Sequence, residues 1–148
     1  AAMVRAGGGS IVAISSLAGS TTHRWFGAYG PTKAGIDMLC KQSADELGPS
    51  GVRVNAVAPG LIRTDLVGFV TEGGAVLDDY VLNTPLGRIG EPEDVAELVR
   101  FLVGPESSWL TGQRINIDGG QALRRGPDYR SAFEPMFGAD AMRGVTDA

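Results

Sequence analysis

The chain has 148 residues, of which 43% are hydrophobic and 20% are charged, which suits one globular domain with a buried core and is too little for two ordinary domains. The net charge of −4 argues against a nucleic-acid-binding face, and one cysteine with one histidine leaves too few ligands for a zinc site, so no metal is expected. No apolar stretch approaches the roughly 20 residues that span a bilayer, which predicts a soluble, cytoplasmic protein that binds neither membranes nor nucleic acid.

The first predicted elements are the end of a helix and a buried strand. The chain opens with Ala1–Ala6 and then three glycines, a pattern typical of a helix that runs into its stop. Because an independent protein rarely opens in the last turn of a helix, we expect this chain to be the C-terminal part of a longer one. Residues 10–15 (Ser-Ile-Val-Ala-Ile-Ser) are largely β-branched without alternation, which indicates a strand covered on both faces of a parallel sheet.

A long helix and a second strand follow. Residues 29–47 carry apolar side chains at helical spacing, with Pro31 in the first turn and a Gly-Pro pair after the last, so they predict a helix. Cys40 falls on the apolar side of this helix and is expected to behave as a small buried hydrophobe. Residues 52–58 (Val-Arg-Val-Asn-Ala-Val-Ala) predict a second strand, which a Pro-Gly pair ends.

The second half of the chain completes an alternating pattern. Residues 66–83 are interrupted by glycines and predict a mobile helix–loop segment, whereas residues 91–103 have a clear apolar stripe and predict a helix. Residues 114–118 predict a third strand, and we expect Trp109 to cover the core. This order favours an α/β fold with a parallel sheet and right-handed crossovers. Residues 124–148 lack periodicity, which indicates a surface extension or partial disorder.

The strongest chemical signal is a tyrosine four residues before a lysine at the start of the long helix. Tyr29 and Lys33 occupy positions i and i+4, so both lie on one face of the helix and can reach the same small volume. A tyrosine hydroxyl ordinarily ionises near about pH 10. A nearby ammonium group favours the phenolate, which makes proton abstraction from an alcohol feasible at neutral pH.

Two strand ends place further polar groups at the same rim. Ser16 follows the first strand, and Gly60 and Thr64 follow the second. Because the carboxyl ends of parallel strands open onto one crevice, the Ser16 hydroxyl can bond a substrate oxygen while Tyr29 handles its proton. Gly60 there lets a ligand approach the backbone, and the Thr64 hydroxyl can bind an amide. Ser15 is interpreted as a structural residue at the strand end.

These stretches together closely resemble the classical short-chain dehydrogenase/reductase family. The resemblance spans residues 1 to about 123, and its matching segments are residues 9–16, 29–33, 52–60, 85–88 with 90–92, and 111–120. It implies a Rossmann-type parallel sheet with flanking helices, the C-terminal half of a doubly wound fold. By this resemblance, residues 1–123 are the catalytic and nicotinamide half of that domain, and residues 124–148 are a C-terminal extension.

The family resemblance also implies a role for each matching residue. Ser16, Tyr29 and Lys33 would be the catalytic set. In that set Tyr29 acts as general acid/base and Ser16 steadies the reacting oxygen. Lys33 would favour the ionised form of the tyrosine and bond the nicotinamide ribose of NAD or NADP. The remaining residues implied to line the nicotinamide are Ile14, Pro59, Gly60, Ile62 and Thr64.

Three features of the family pattern fall before Ala1 and are not in this sequence. They are the glycine-rich phosphate loop, the residue that discriminates NAD from NADP and the asparagine of the catalytic tetrad. A dinucleotide site needs backbone N–H groups at a helix N-terminus to hold the pyrophosphate. We therefore expect the chain as written to bind the coenzyme weakly or not at all, and its first strand to present an exposed edge.

The sequence thus predicts an NAD(P)-dependent oxidoreductase that interconverts a secondary alcohol and a ketone. A different class is an inactive remnant that acts only by oligomerisation, and a third, less favoured reading is epimerisation or dehydration of a sugar nucleotide. A homodimer or homotetramer is expected from the family's use of the 29–47 helix. His23 is interpreted as a solvated residue of a loop that rims the pocket. Trp25 and Phe26 either contact substrate or pack a subunit interface.

Overall fold

The computed structural model describes residues 1–124 and 129–144, and it confirms the predicted α/β class. Three strands form one sheet: β1 (Gly9–Ile14), β2 (Val52–Pro59) and β3 (Arg114–Ile117). The helices are α1 (Ala2–Arg5), α2 (Tyr29–Leu47), α3 (Gly68–Thr71), α4 (Ala75–Asn83), α5 (Pro92–Val103) and α6 (Arg130–Ala141). The predicted strands and helices of residues 1–118 are all present, and the strand ends differ from prediction by one residue.

The sheet has the order β1-β2-β3, and both pairs of neighbours are parallel. Ile14 pairs with Val57, and Ala56 pairs with Arg114. The central strand β2 is buried continuously from Val54 to Ala58. Because all three strands run in the same direction, the segments that follow them emerge at one edge of the sheet. That edge is where the predicted site residues lie.

Helices cover the two faces of the sheet. Side chains of α2 pack on one face of β2 in a cluster that consists of Cys40, Ala44, Val52, Val54 and Ala56. Successive residues of a strand point to opposite faces, and Arg53 accordingly turns to the other face, where it donates a hydrogen bond to Gly104 O just after α5. The buried position predicted for Cys40 is confirmed, with 5% of the residue exposed.

The strand β1 lies at one edge of the described sheet. Ile11 is 38% exposed and Ile14 is 48% exposed, so the prediction that both faces of β1 are covered is wrong for these two side chains. β1 pairs with β2 alone among the described strands, so its side chains have strand neighbours on one side only, as expected for an edge strand.

The start of α5 follows the sequence signals closely. Glu91 is the N-cap, Pro92 is the first helical residue, and Asp94 completes a capping box by accepting a hydrogen bond from Glu91 N at 2.8 Å. The Arg88 guanidinium binds the same carboxylate and lowers the pKa of Asp94 to about 2. The cap therefore remains ionised across ordinary pH.

The structure has a 3-10 turn and two helices over residues 65–83, where the sequence predicts a helix–loop segment. The turn covers Asp65–Val67, α3 follows it directly, and Gly73 and Gly74 separate α3 from α4. Both glycines have positive φ angles, 133° and 95°, which L-residues with a Cβ rarely adopt. The glycines that weakened a single long helix in the sequence are thus the residues at which the chain turns.

The C-terminal segment contains a helix that the sequence does not predict. Residues 130–141 form α6, whose pattern is interrupted by Pro135 and by Gly138 at a φ of 82°. These interruptions explain why no helical period is visible. Tyr129 before α6 and Met142 after it are 3% and 5% exposed, so this part of the chain packs on the domain. Residues 125–128 and 145–148 lie outside the described residues, and the boundary at residue 124 stays a prediction.

The expectation that Trp109 covers the core is wrong, because 98% of this residue is exposed. Ser107, which is 1% exposed, turns inward instead and accepts a hydrogen bond from Arg53 at 2.9 Å. This hydrogen bond holds the turn after α5 in place, and the indole of Trp109 is left exposed to solvent. No helix in the described part of the chain is both long and apolar enough to cross a membrane.

Candidate active site

A cavity of about 290 Å³ opens at the carboxyl edge of the sheet. The residues that line it come from the ends of β1 and β2, the start of α2 and the segments near α4 and α6. All eight site residues predicted from the sequence line this one cavity: Ile14, Ser16, Tyr29, Lys33, Pro59, Gly60, Ile62 and Thr64.

The hydroxyl of Ser16 is oriented by a short 3-10 turn that follows β1. Ser16 is the N-cap of the turn Leu17–Gly19, and its Oγ accepts a hydrogen bond from Ala18 N at 3.2 Å. A serine hydroxyl has one proton and two acceptor lone pairs. Because the Ala18 N–H takes up a lone pair, the hydroxyl proton remains available to donate to an oxygen in the cavity.

Ser15 lines the cavity as well, but hydrogen bonds tie its side chain and backbone into the fold. Only 3% of the residue is exposed, and its Oγ donates to Lys33 O at 3.2 Å. Its backbone N–H extends the β1–β2 ladder by donating to Val57 O at 2.7 Å. These contacts tie the end of β1 to α2 and agree with the structural interpretation of this serine.

Tyr29 and Lys33 stand together in the first turns of α2. The Lys33 Nζ lies 5.6 Å from the centroid of the Tyr29 ring and donates a hydrogen bond to Ile14 O at 3.1 Å. An ammonium group has three donors, so two remain for groups that enter the cavity. Tyr29 is 42% exposed, which leaves its ring accessible to a ligand.

Glycines allow the turn after β1 to lie against α2. A Cβ at Gly30 would stand 2.9 Å from Ala18 O, and a Cβ at Gly19 would stand 2.9 Å from Asp37 Oδ2. Both distances are shorter than a carbon–oxygen contact tolerates. Glycine at these two positions therefore lets the turn after β1 pack closely against α2.

Close packing, as well as its place at the cavity, requires a glycine at position 60. A Cβ there would lie 3.1 Å from Asp118 Cα and 3.0 Å from Gln121 Oε1. Asp118 in turn accepts hydrogen bonds from Gly120 N and Ala122 N, which makes the predicted turn after β3. The sequence interpretation, in which Gly60 admits a ligand, misses this contact between the segments after β2 and β3.

The backbone at Ile62 has groups suited to a carboxamide. Ile62 forms an isolated parallel bridge with Gly90, made by Gly90 N to Leu61 O and by Arg63 N to Gly90 O. In a parallel bridge these bonds use the flanking residues, so the N–H and C=O of Ile62 itself face away from Gly90. Ile62 and Thr64 both line the cavity, so a backbone N–H, a backbone C=O and a hydroxyl belong to its lining residues.

One wall of the cavity is aromatic. Phe26 stacks on His23 with 5.2 Å between ring centroids, meets the Tyr29 ring edge-on at 5.6 Å and contacts Tyr129 at 4.5 Å. The hydroxyls of Tyr80 and Tyr129 share a hydrogen bond of 2.5 Å. Phe26 therefore forms part of the pocket. The sequence has no local signal for Tyr80 or Tyr129, because 49 positions separate them and neither lies in a recognisable motif.

The two paired tyrosines are neutral groups of the wall. Burial raises the pKa of Tyr80 well above the ordinary range, and the Tyr129 hydroxyl beside it adds to the shift. Burial also raises the pKa of Tyr129, although the hydrogen bond from Tyr80 opposes this. Both hydroxyls thus stay protonated at physiological pH.

Replacing either Tyr80 or Tyr129 with phenylalanine is expected to lower the free energy of unfolding by about 1–3 kcal/mol, because the remaining hydroxyl loses its partner while buried. The double replacement should cost less than the sum of the two single replacements, since it leaves no unpaired hydroxyl. Urea unfolding of the three variants checks this. Strictly additive losses would show that the hydroxyls do not depend on each other.

His23 lies at the rim of the cavity, as the sequence predicts for its loop. Its Nδ1–H donates to Thr21 O at 3.0 Å, and burial lowers its pKa below the ordinary value even though this hydrogen bond favours the charged form. The imidazole is therefore neutral at physiological pH and less solvated than the sequence suggests.

The lowered pKa of His23 has a consequence for stability in acid. The unfolded chain binds a proton at this histidine more readily than the folded one, so stability falls as the pH drops through about 6.5 toward the lower folded-state pKa. In the variant His23→Gln, the loss of unfolding free energy between about pH 7.5 and pH 5 should be smaller than in the unchanged protein. Equal losses in both proteins would contradict this account.

Comparison with known proteins gives a consistent family assignment. A family model described as enoyl-(acyl carrier protein) reductase matches residues 1–122. A tropinone reductase homolog of Arabidopsis thaliana is 46% identical over 114 residues, which are 77% of this chain and 43% of that protein. The chain therefore spans less than half the length of this curated relative.

Solved structures agree with the sequence relatives. A short-chain type dehydrogenase/reductase from Mycobacterium ulcerans superposes with a TM-score of 0.92 at 59% identity, over 97% of this chain and 52% of that one. A gluconate 5-dehydrogenase from Burkholderia cenocepacia, in complex with NADP and tartrate, gives a TM-score of 0.79 at 28% identity over 82% and 48%. A 3-oxoacyl-[acyl-carrier protein] reductase from Brucella melitensis with bound NAD gives 0.72 at 39% identity over 82% and 44%.

Proposed function

The chain belongs to the short-chain dehydrogenase/reductase family. From this premise we propose that it forms the catalytic part of an NAD(P)-dependent oxidoreductase that interconverts a secondary alcohol and a ketone. The observation that carries the proposal is the meeting of Ser16, Tyr29 and Lys33 at a single cavity. They combine a free hydroxyl proton, an exposed phenol and an ammonium group with unused donors, which together can hold and deprotonate an alcohol.

In the proposed reaction, Ser16 and Tyr29 act on the substrate oxygen. The Ser16 hydroxyl, whose lone pair receives the Ala18 N–H at 3.2 Å, donates its proton to that oxygen and fixes its position. Tyr29 accepts the hydroxyl proton of the alcohol during oxidation and returns it to the carbonyl oxygen during reduction. The Lys33 ammonium near the tyrosine ring stabilises the phenolate that this cycle requires.

The proposed place for the nicotinamide end of NAD or NADP is the part of the cavity lined by Ile14, Lys33, Pro59, Ile62 and Thr64. Lys33 has two remaining donors for the ribose hydroxyls, the Ile62 backbone and Thr64 suit the carboxamide, and Ile14 and Pro59 offer apolar contacts to the ring. When bound, the coenzyme supplies the hydride donor or acceptor for the carbinol carbon. The two coenzyme-bound relatives described above, one with NADP and one with NAD, support this choice of coenzymes.

Coenzyme-linked turnover of secondary alcohols tests the proposal. The natural protein, meaning the protein as its organism produces it, is incubated with NAD or NADP and a panel of secondary alcohols. Formation of the reduced nicotinamide is followed by its absorbance. The variant Ser16→Ala should turn over at least about 100-fold more slowly on any alcohol that is oxidised, because it loses the donor to the reacting oxygen. Equal rates in both proteins would remove Ser16 from the mechanism, and no turnover at all would contradict the proposed activity.

We also propose that copies of the chain associate through α2. Met38 and Leu39 on this helix are 62% and 63% exposed, and these two adjacent apolar side chains offer a surface that a second copy can cover. Light scattering of the natural protein should give a dimer or tetramer, and the variant Met38→Glu/Leu39→Glu should shift it toward monomer. Association without any binding of NADH or NADPH would instead favour the alternative of an inactive remnant.

A further inference from the structure

The guanidinium group of Arg114 joins three elements next to the candidate active site. Arg114 is the first residue of β3. Its Nε donates to Asp37 Oδ2 on α2 at 2.8 Å, and its Nη2 donates to Ser16 O at 2.9 Å. Further hydrogen bonds reach Leu17 O at 3.4 Å and Asn116 Oδ1. One planar group thus touches the main chain of the serine and the helix that carries the tyrosine.

The ion pair between Arg114 and Asp37 is largely buried. The two side chains are 16% and 9% exposed, and Asp37 Oδ1 is buried with no hydrogen-bond partner among the described residues. A buried carboxylate needs a compensating charge, and the arginine supplies it here. The pair is therefore held in one arrangement, unlike the exposed pair of Arg63 and Glu91.

Asp37 lies one helical turn after Lys33 on the same face of α2, and the tyrosine lies one turn before that lysine. The carboxylate is consequently rigid with respect to the proton-handling groups. On the other side, Ser16 O is part of the turn that orients the Ser16 hydroxyl through Ala18 N. The link through Arg114 therefore joins the helix that carries Tyr29 to the turn that orients the Ser16 hydroxyl.

We propose that Arg114, held in place by Asp37, is a positioning residue that aligns the Ser16 hydroxyl with Tyr29. The inference rests on the proposed function and adds a residue that does not itself line the cavity. The flat fork of an arginine can donate to a carboxylate and to a carbonyl oxygen at once, whereas a lysine offers one point of charge. A displacement of about 1 Å in a reacting group can reduce turnover by about 100-fold.

Two replacements of Arg114 and one control separate alignment from general stability. Arg114→Met removes the link entirely, and Arg114→Lys keeps a positive charge for Asp37 but loses the fork. The control is Arg53→Met. Arg53 is also a partly buried arginine that donates to carbonyl oxygens, those of Gly104 and Leu110, but it pairs with Ser10 at the opposite end of the strands.

For each variant of the natural protein we measure thermal stability, the dissociation constant of NADH or NADPH by fluorescence, and kcat and KM for an alcohol that the unchanged protein oxidises. Both replacements of Arg114 should lower kcat by about 10- to 100-fold, while the coenzyme dissociation constant stays within about twofold. The control should lose a comparable amount of thermal stability and keep kcat within about twofold. If Arg114→Met does not fold, Arg114→Lys decides the question alone.

The possible results are distinct. A kcat near that of the unchanged protein in Arg114→Lys would overturn the positioning role and leave the proposed function intact. An equal fall of kcat in Arg53→Met would do the same, because it would show that the loss follows stability. If the unchanged protein oxidises no alcohol, the proposed function fails and the role of Arg114 fails with it.

Discussion

Replacing Tyr29 with phenylalanine is expected to lower kcat of the natural protein by about 100- to 10,000-fold, the range typical for loss of a general acid or base. The affinity for NADH or NADPH should stay within about twofold, since the ring remains and only the hydroxyl that meets the substrate is lost. Steady-state kinetics and titration of the nicotinamide fluorescence measure the two quantities. A large loss of kcat at constant affinity is what a proton-transfer role predicts.

A matched control for this replacement lies in the same helical turn. The Thr32 hydroxyl donates to Tyr29 O at 2.7 Å and does not line the cavity, so Thr32→Val removes a hydroxyl without touching the proposed chemistry. It should leave kcat nearly unchanged. Turnover in Tyr29→Phe as fast as in the control would exclude Tyr29 as the group that moves the proton.

Replacing Lys33 with alanine should damage both turnover and coenzyme binding. The ammonium group lies beside the Tyr29 ring and at the end of β1, where it donates to Ile14 O at 3.1 Å, and the proposal assigns its other donors to the nicotinamide ribose. Hydrogen bonds to charged groups contribute about 1.5–3 kcal/mol, so the dissociation constant of the coenzyme should rise by about 10- to 100-fold. Fluorescence titration and steady-state kinetics on the same sample give both values.

Lys41 provides the control for this second prediction. It lies two turns further along α2, is exposed and does not line the cavity, so Lys41→Ala changes the net charge equally without reaching the site. Its coenzyme affinity and turnover should match those of the unchanged protein. Equal effects of the two replacements would show that net charge, rather than the position of Lys33, governs binding.

The parts of the fold that the sequence predicts are those with strong local patterns. The helix over residues 29–47 has apolar side chains at a regular spacing, and the structure reproduces its bounds. The strands β2 and β3 are short runs between glycine or proline residues, and they agree within one residue. The helix α6 escapes prediction because Pro135 and Gly138 interrupt its period.

The candidate site divides in a similar way. The proximity of Tyr29 and Lys33 is predictable from the sequence, because residues four positions apart in a helix lie on the same face. The pair of Arg114 and Asp37 is 77 positions apart in sequence, and only the folded sheet edge joins them. A sequence without an alignment has no signal for such pairs. The cytoplasmic location and the domain boundary at residue 124 stay predictions.

The fate of the hydrogen on the carbinol carbon tests the central claim most directly. The natural protein is given NAD or NADP and a secondary alcohol that carries deuterium on that carbon, and the coenzyme and ketone are analysed by mass spectrometry. We predict one deuterium in each molecule of reduced coenzyme for each ketone formed, with the transfer almost abolished in Tyr29→Phe. Ketone formation with deuterium released to water, or reduced coenzyme without deuterium, would contradict an alcohol dehydrogenase mechanism at this site.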